Sequence, residues 1–516
     1  MVHARAPQGI KMEGLTLPEL LRLRAQDRPE AQFLFFDREA WSRGELDRAS
    51  DGAADELLRG GVRAGDRVAL LLPNCPEFII YFFAVLKAAA VAVPVNPLLK
   101  EPEIGYILRN SGAKVLVSEA GKDSLIGALR AQCPDLNHVQ SLAAGQPKKD
   151  VLSRLGRAAS APHPADPEAP AAIIYTSGTT GFPKGAVLSH RNYLFDVENS
   201  VEAIGMDEND RFLCFLPLFH VNGQVVTLLC PLYAGGSMVL MGRFQPKEFF
   251  ELLAGHRCTA FSGVPSVYSV LLSLPETGRY DLSSLRFCIC GAAPMPVEVF
   301  QRFEAKFKAH ILEGYGLSEG TCVSSINPPP PGKRKVGSIG LPLKGQAMRI
   351  VGEDGAELEA GRVGEIAVSG ENVMKGYWND SKASSETLRG GWLHTGDLGC
   401  RDEEGYFFIV GRKKEMIIRG GENVYPKEIK EALYKNPKIA EAAVVGLPDR
   451  RWGEEVAAFI VLRQGCASSA KEIVEALRER VADFKLPRRV EFVTELPKTA
   501  TGKVQKHKLQ EAYRQG

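Results

Sequence analysis

The sequence predicts an α/β protein. A large N-terminal domain of layered α/β subdomains with a β-rich subdomain is expected, followed by a small α+β C-terminal domain. Three observations carry this. At 516 residues the chain exceeds what one hydrophobic core ordinarily serves. Its 45% hydrophobic and 24% charged content is that of a globular protein. Helical and strand-like apolar patterns also alternate from the N-terminus onward, which favours parallel strands in a layered domain.

Taken in order, "LPELLRLRAQDRP" from Leu17 has helix spacing, and "RVALLLPN" from Arg67 is a short strand. "PEFIIYFFAVLKAAA" opens a helix at Pro76, and "AKVLVSEA" from Ala113 is again a strand. The run "FIIYFFAVLKAAAVAVPVNP" resembles a membrane span, but Lys87 interrupts it and Pro94 ends it short of the ~20 apolar residues a span needs. A buried helix followed by a strand is expected there; peripheral contact with a membrane surface stays open. Gly145–Pro170 is polar and rich in Pro and Ala, and reads as a surface connection with one helical turn.

The alternation resumes through "DRFLCFLPLFH", "CTAFSGVPSVYSVLL" and "RFCICGAAP". "NPPPPGKRK", Asn327–Lys335, marks an exposed loop, and "GEIAVSG" and "GYFFIVGR" are short strands of a β-rich subdomain. From Gly411 the pattern is α+β. "PKEIKEALYKN" is a helix with Pro426 at its first position, "EAAVVGLP" and "EVAAFIVLR" are strands, and "AKEIVEALRERV" is a helix. The boundary is placed at Gly411–Lys414, giving domains 1–410 and 411–516.

A net charge of +2 argues against nucleic acid, since no basic tail or zinc-finger spacing supplements it. The ten cysteines are scattered. Cys288 and Cys290 share one face of a strand but lack the second pair of a metal site. Buried reduced thiols and an N-terminus without an apolar signal segment point to the cytoplasm.

Several segments carry chemistry. "IIYTSGTTGFPKGAVLSH", Ile173–His190, puts Thr176, Ser177, Gly178, Thr179, Thr180 and Gly181 after an apolar strand, with Lys184 close behind. Glycines let the backbone approach an anion and successive amides form a nest. A Walker loop would follow its lysine with Ser or Thr, whereas Lys184 is followed by Gly185. In "EGYGLSEGT", Glu313–Thr321, Tyr315 offers an aromatic face and Glu319 a hard oxygen ligand of the kind Mg²⁺ prefers. "GWLHTGDLG" sets Asp397 in a glycine-bounded turn, where a carboxylate can bind ribose hydroxyls. "GRKKEMIIRGGENVYP" joins a basic cluster to a Gly-Gly turn, and "LPKTATGKVQKHKL" places Lys503 in a Thr/Gly loop near the C-terminus. Each alone also fits a solvated turn or a surface charge.

Together and in this order, these segments resemble the acyl-adenylate-forming superfamily of acyl-CoA synthetases, firefly-type luciferases and nonribosomal-peptide adenylation domains. The likeness runs from Leu17 to Leu509. It implies an acid–thiol ligase, with ATP, Mg²⁺ and CoA as cofactors and co-substrate. A carboxylate attacks the α-phosphorus of ATP, giving acyl-AMP and diphosphate, and a thiol then displaces AMP. By position, Thr176–Thr180 and Lys184 would hold the diphosphate, Gly181 would join them in binding ATP, and Glu319 with Thr176 would bind Mg²⁺. Gly291, Ala292 and Ala293 would line the adenine site, with Tyr315 stacking on the base, and Glu313, Gly314 and Gly316 would belong to the same ATP/AMP-binding set. Ser318 would contact the α-phosphate, Asp397 and Arg412 the ribose, and Lys503 both the acyl carboxylate and the phosphate. The C-terminal domain would be mobile, rotating about Lys414 to bring Gly420, Gly421 and Glu422 to the CoA thiol. A homodimer is compatible with the family.

In "PLFHVNGQ", His220 falls where the family gates the acyl site. Val221, Gly223, Val226, Phe261, Ser262, Gly263 and Val264 are small or apolar and offer no cation to a second carboxylate. A medium- to long-chain fatty acid is therefore expected. Some long-chain members carry a gating Trp four residues after this His, where the present chain has Gln224. Gly316 and Gln224 complete the expected acyl site. Aryl acids, and an acyl-AMP ligase loading a carrier protein, are the alternatives; a luciferase-like oxygenase shares every motif.

Overall fold

The computed structural model describes residue 12 and residues 14–155, 166–176, 182–274, 277–498 and 504–514. Ser177–Gly181 and Lys503 lie outside the described residues.

Two large sheets form the N-terminal part. A seven-stranded sheet runs in the order Gly376–Tyr377, Lys184–Ser189, Pro170–Thr176, Val91–Pro94, Arg67–Leu71, Ala113–Glu119, His138–Leu142. Its last five strands pair in parallel. A nine-stranded sheet has a parallel centre of Ser237–Leu240, Arg211–Cys214, Ala260–Gly263, Phe287–Cys290 and His310–Tyr315.

Between the sheets lies one core. It gathers Val68, Leu70 and Ala92 from the first sheet and Phe212, Met238, Ala260, Phe287 and Ile289 from the second. The helices Pro76–Lys87 and His190–Ile204 fill the gap, the first contributing Phe78, Tyr81, Phe82 and Phe83. The outer faces have cores of their own: Ala69, Leu71 and Val93 on one sheet, and Leu213, Phe261, Cys288, Cys290 and Ile311 on the other. The two-residue period of a strand thus sends Phe287 and Ile289 inward and both cysteines to the opposite face.

The membrane-like run becomes the buried helix Pro76–Lys87 and the strand Val91–Pro94. Lys87, 1% exposed, is tolerated because its ammonium donates to Asp47 Oδ1 at 2.6 Å and Asp51 Oδ1 at 2.8 Å, which compensates a buried charge. Among the described residues no helix is long and apolar enough to cross a membrane.

One sequence expectation needs correcting. The connection after Gly145 contains the helix Lys148–Leu155, not a single turn; Val151 and Leu155 are buried against the main core. Its short amphipathic pattern sits inside a Pro/Ala-rich stretch that masks it. The first 150 residues divide between the two large sheets. Strands Gln32–Phe36 and Glu39–Ser42 cross over to the edge of the nine-stranded sheet beside Ser237–Leu240, a long-range pairing that local pattern does not encode.

A five-stranded sheet, Ala347–Val351, Gly364–Ser369, Trp392–Arg401, Leu388–Arg389 and Phe407–Arg412, forms the β-rich part. The strands from Ile417 onward form a separate five-stranded sheet with their own core of Ile417, Val444, Val456 and Ile460. The chain changes sheets between Arg412 and Ile417.

Candidate active site

The strand Pro170–Thr176 ends at Thr176 and pairs antiparallel with Lys184–Ser189, so that Thr176 lies opposite Lys184. The Thr176 hydroxyl lies 3.4 Å from both the Lys184 carbonyl and Glu319 Oε1. The Tyr377 hydroxyl donates to the same Glu319 oxygen at 2.9 Å. Lys184 Nζ stands 5.2 Å from the centre of the Tyr377 ring. Thr176 and Lys184, paired across one hairpin, therefore converge with Glu319, which is 143 residues from Thr176 in sequence.

Glu319 sits in the 3₁₀ turn Ser318–Gly320, and the loop around it is tightly tied. Thr321 has φ +66°, and its hydroxyl donates to the Asn372 carbonyl at 2.5 Å. Asn372, fully buried, returns a bond to Gly320 O at 3.1 Å. Asp196, also fully buried, accepts the Val323 N–H at 2.8 Å and the Ser200 hydroxyl at 3.0 Å. Burial pushes its carboxyl up to about 7. At Gly316 a Cβ would fall 1.5 Å from the Cys322 carbonyl oxygen, so only glycine fits there.

A second cluster forms where Trp392–Arg401 pairs with Phe407–Arg412. Asp397 lies opposite Arg412, and its two oxygens accept from Arg412 Nε at 2.8 Å and the Tyr315 hydroxyl at 2.7 Å. The neighbouring Asp397 carboxylate raises Arg412, and burial raises the Tyr315 phenol. The turn is set by Gly396, φ +72°, whose N–H is held by Glu365 at 2.9 Å.

Strands Phe287–Cys290 and His310–Tyr315 pair with Cys290 opposite Glu313. Gly291 follows the first strand beside Gly314, whose carbonyl would lie 3.5 Å from a Cβ at Gly291, and Ala292 and Ala293 come next in the chain. The backbone of Ala292 is left-handed at φ +67°. Glu313 is 4% exposed. Its Oε1 accepts the Met295 N–H at 3.1 Å, while Oε2 has no partner. Burial raises this carboxyl to about 7. Glu313 lies near the carboxyl end of its strand, the end at which open α/β sheets bind ligands.

His220 precedes the short helix Val221–Gln224, which runs into a π-helical turn, Val225–Leu229. The Phe219 and His220 rings lie 4.5 Å apart. Gln224 is fully buried: its carbonyl accepts the Tyr193 hydroxyl at 2.6 Å and its amide donates to Leu218 O at 2.8 Å. Ser262, Gly263 and Val264 follow at the end of strand Ala260–Gly263. The Ser262 hydroxyl is buried without a partner.

Lys414 lies in the 3₁₀ turn Lys413–Glu415. Gly420 and Gly421, with φ +60° and +90°, make the two-residue loop between Arg419 and Glu422, a hairpin that needs positive φ at both positions. Its contacts are within the C-terminal part: the Gly420 N–H donates to Trp452 O at 2.8 Å. The structure does not place this hairpin with the other candidates. The C-terminal part touches the N-terminal part through Lys427, whose ammonium donates to the Ile409 carbonyl at 2.7 Å.

Sequence reasoning missed Tyr377, Asn372 and Asp196. "NVMKGYWND" around Tyr377 carries a polar aromatic residue among apolar ones, but only tertiary contact reveals its partner. Chemically, the site offers oxygen donors and one ammonium for a polyphosphate, and a carboxylate–guanidinium pair for a sugar. Thr176 and Glu319 suit Mg²⁺, which takes one or two carboxylates and leaves the remaining positions to phosphates and water. Among the described residues no group of three His, Cys, Asp or Glu forms an all-protein metal cage.

Comparison with known proteins identifies the family. Residues 21–378 match the family model of the AMP-binding enzymes, and residues 428–503 that of the AMP-binding enzyme C-terminal domain. The chain is 38% identical to a long-chain-fatty-acid–CoA ligase of Bacillus subtilis (88% of this chain, 87% of that one). It is 36% identical to a feruloyl-CoA synthase of an Amycolatopsis species (95% and 97%). The crystal structure of an anthranilate CoA ligase in complex with anthranoyl-AMP superimposes with a TM-score of 0.91 at 30% identity, covering 98% of this chain and 99% of that one.

Proposed function

The chain belongs to the AMP-binding enzyme family as an AMP-forming acyl-CoA ligase working through an acyl-adenylate, and we propose that its acid is a medium- to long-chain fatty acid. One observation carries the choice of an apolar tail. The segments 215–242, 259–278, 287–301 and 311–332, which bring His220, Ser262, Gly291 and Gly316 to the site, contain no Lys or Arg. A second carboxylate on the substrate would find no cationic partner in them. Aryl acids are the second reading, favoured by Gln224. Its bonds to Tyr193 and Leu218 tie the position down where a long tunnel would need a movable gate.

In this reading Asp397 and Arg412 hold the ribose, and Gly291–Ala293, Glu313, Gly314, Tyr315 and Gly316 enclose the adenine. Ser318 meets the α-phosphate. Thr176–Gly181 and Lys184 take the departing diphosphate, and His220 borders the acyl carboxylate. Glu319 and Thr176 would hold Mg²⁺, which when bound neutralises phosphate charge. Lys503 would stabilise charge as the acid attacks. A rotation about Lys414 would then present Gly420, Gly421 and Glu422 to CoA, a hinge change at residues terminating an element. The domain division at 410/411 and a cytoplasmic setting belong to the same proposal. The protein's work is positioning and charge stabilisation.

The experiment is CoA-dependent AMP formation across acids from acetate to stearate, together with benzoate- and cinnamate-type acids. Highest kcat/KM on a medium or long aliphatic acid supports the proposal; a maximum on an aryl acid replaces it with the second reading. AMP release only with a carrier protein, and none with CoA, would contradict both.

A further inference from the structure

Tyr377 touches both the Lys184 side and the Glu319 side of the proposed phosphate-binding apparatus. Its backbone is fixed to the strand that begins at Lys184: Tyr377 pairs with Ala186, and the flanking Lys375 and Trp378 N–H groups donate to Val187 O at 2.9 Å and Gly185 O at 2.7 Å. Its own N–H donates to the Ser384 hydroxyl at 2.8 Å. Three residues earlier, the Met374 N–H donates to the Glu319 carbonyl at 2.9 Å. The short segment 374–378 therefore locks the Lys184 strand and the Glu319 turn into one register.

The side chain completes the link. The phenol O–H donates to Glu319 Oε1 at 2.9 Å, and the bond from Thr176 falls on that same oxygen. Both bonds fall on Oε1 and leave Oε2 outside them. The Tyr377 phenol is the donor in its bond. Its ring meanwhile faces the Lys184 ammonium at 5.2 Å, an attraction between a cation and an aromatic face. Among the described residues Lys184 forms no ion pair, although a carboxylate and an ammonium on adjoining segments attract strongly at partly buried sites.

We propose that Tyr377 is a positioning residue that aims the Glu319 carboxylate at the metal of MgATP and keeps Lys184 from collapsing onto that carboxylate. The inference rests on the reading of Glu319 and Thr176 as the metal-holding pair. The hydroxyl serves the first task and the ring the second, so the two are separable by substitution.

The test is calorimetric titration of ATP into wild type, Tyr377→Phe and Tyr377→Leu, once with Mg²⁺ and once with EDTA. The phenol's hydrogen bond is to a charged group, so Tyr377→Phe should weaken MgATP binding about tenfold or more and leave metal-free ATP within about twofold. Tyr377→Leu also removes the ring, so Lys184 pairs with Glu319 and metal-free ATP binding falls as well. Unchanged MgATP affinity in Tyr377→Phe, or equal weakening with and without metal, overturns the proposal. Should Tyr377→Leu fail to fold, Tyr377→Phe still decides. A wild type that binds MgATP yet exchanges no diphosphate with any acid would refute the ligase reading and leave the calorimetric comparison standing.

Discussion

Asp397 and Arg412 face each other across two antiparallel strands, and Arg412 Nε donates to Asp397 Oδ1 at 2.8 Å. Arg412 is the last residue of its strand, and the chain enters the C-terminal part within the next five residues. The proposed ribose anchor is thus attached to the segment about which the C-terminal part would turn. Asp397→Asn keeps the Tyr315 hydrogen bond but loses the charge that holds Arg412. We expect KM for ATP to rise roughly tenfold, the scale of one charge-assisted hydrogen bond, with the acid KM nearly unchanged. Steady-state kinetics with each substrate varied in turn checks this; equal effects on both KM values would oppose it.

Gly316→Ala should be far more damaging. The new Cβ would lie 1.5 Å from the Cys322 carbonyl, and the loop carrying Ser318 and Glu319 must shift to admit it. A displacement of about 1 Å at reacting groups costs on the order of 10²-fold in rate. Diphosphate exchange should fall by at least that factor while the thermal midpoint of the C-terminal part barely moves.

Asp196 gives a pH signature. Its native carboxyl is raised to about 7, against ~4 for an unfolded Asp. Between those values the native state keeps a proton that the unfolded chain releases. The stabilisation is complete below the unfolded value and is lost as pH rises through the native one. In Asp196→Asn the amide oxygen can accept the Val323 N–H and the NH₂ can meet Ser200. The variant should therefore lack this loss, and the difference between wild-type and variant urea midpoints should shift in the variant's favour from pH 4 to pH 8. A pH-independent difference would contradict the assignment.

Lys414→Pro tests the hinge. A proline restricts both its own φ and the residue before it, which freezes the turn Lys413–Glu415. Diphosphate release should persist and thioester formation should stop; intact CoA ligation would remove Lys414 from the hinge.

The site was legible in sequence to the extent that it is built from contiguous loops. Thr176, Lys184 and Glu319 were recognisable because glycines and hydroxyls cluster around them, and Asp397 because a turn presents it. Tyr377, Asn372 and Asp196 were not, since each acts through long-range hydrogen bonding to a loop more than fifty residues away in sequence. The fold divides the same way. The buried helix Pro76–Lys87 and the alternating strand Phe287–Cys290 announce themselves by composition and period. The strands Gln32–Phe36 and Glu39–Ser42 join a sheet whose other members begin at Arg211; nothing local chooses that partner.

The central claim is that a carboxylic acid and ATP form a mixed anhydride in this site before any thiol arrives. Acid-dependent exchange of labelled diphosphate into ATP, with CoA omitted, measures that step directly. The account predicts exchange with at least one apolar acid, reduced in Lys503→Ala by roughly 10²–10³, as removal of one preorganised donor does. No exchange with any acid, or exchange undiminished in Lys503→Ala, would contradict it.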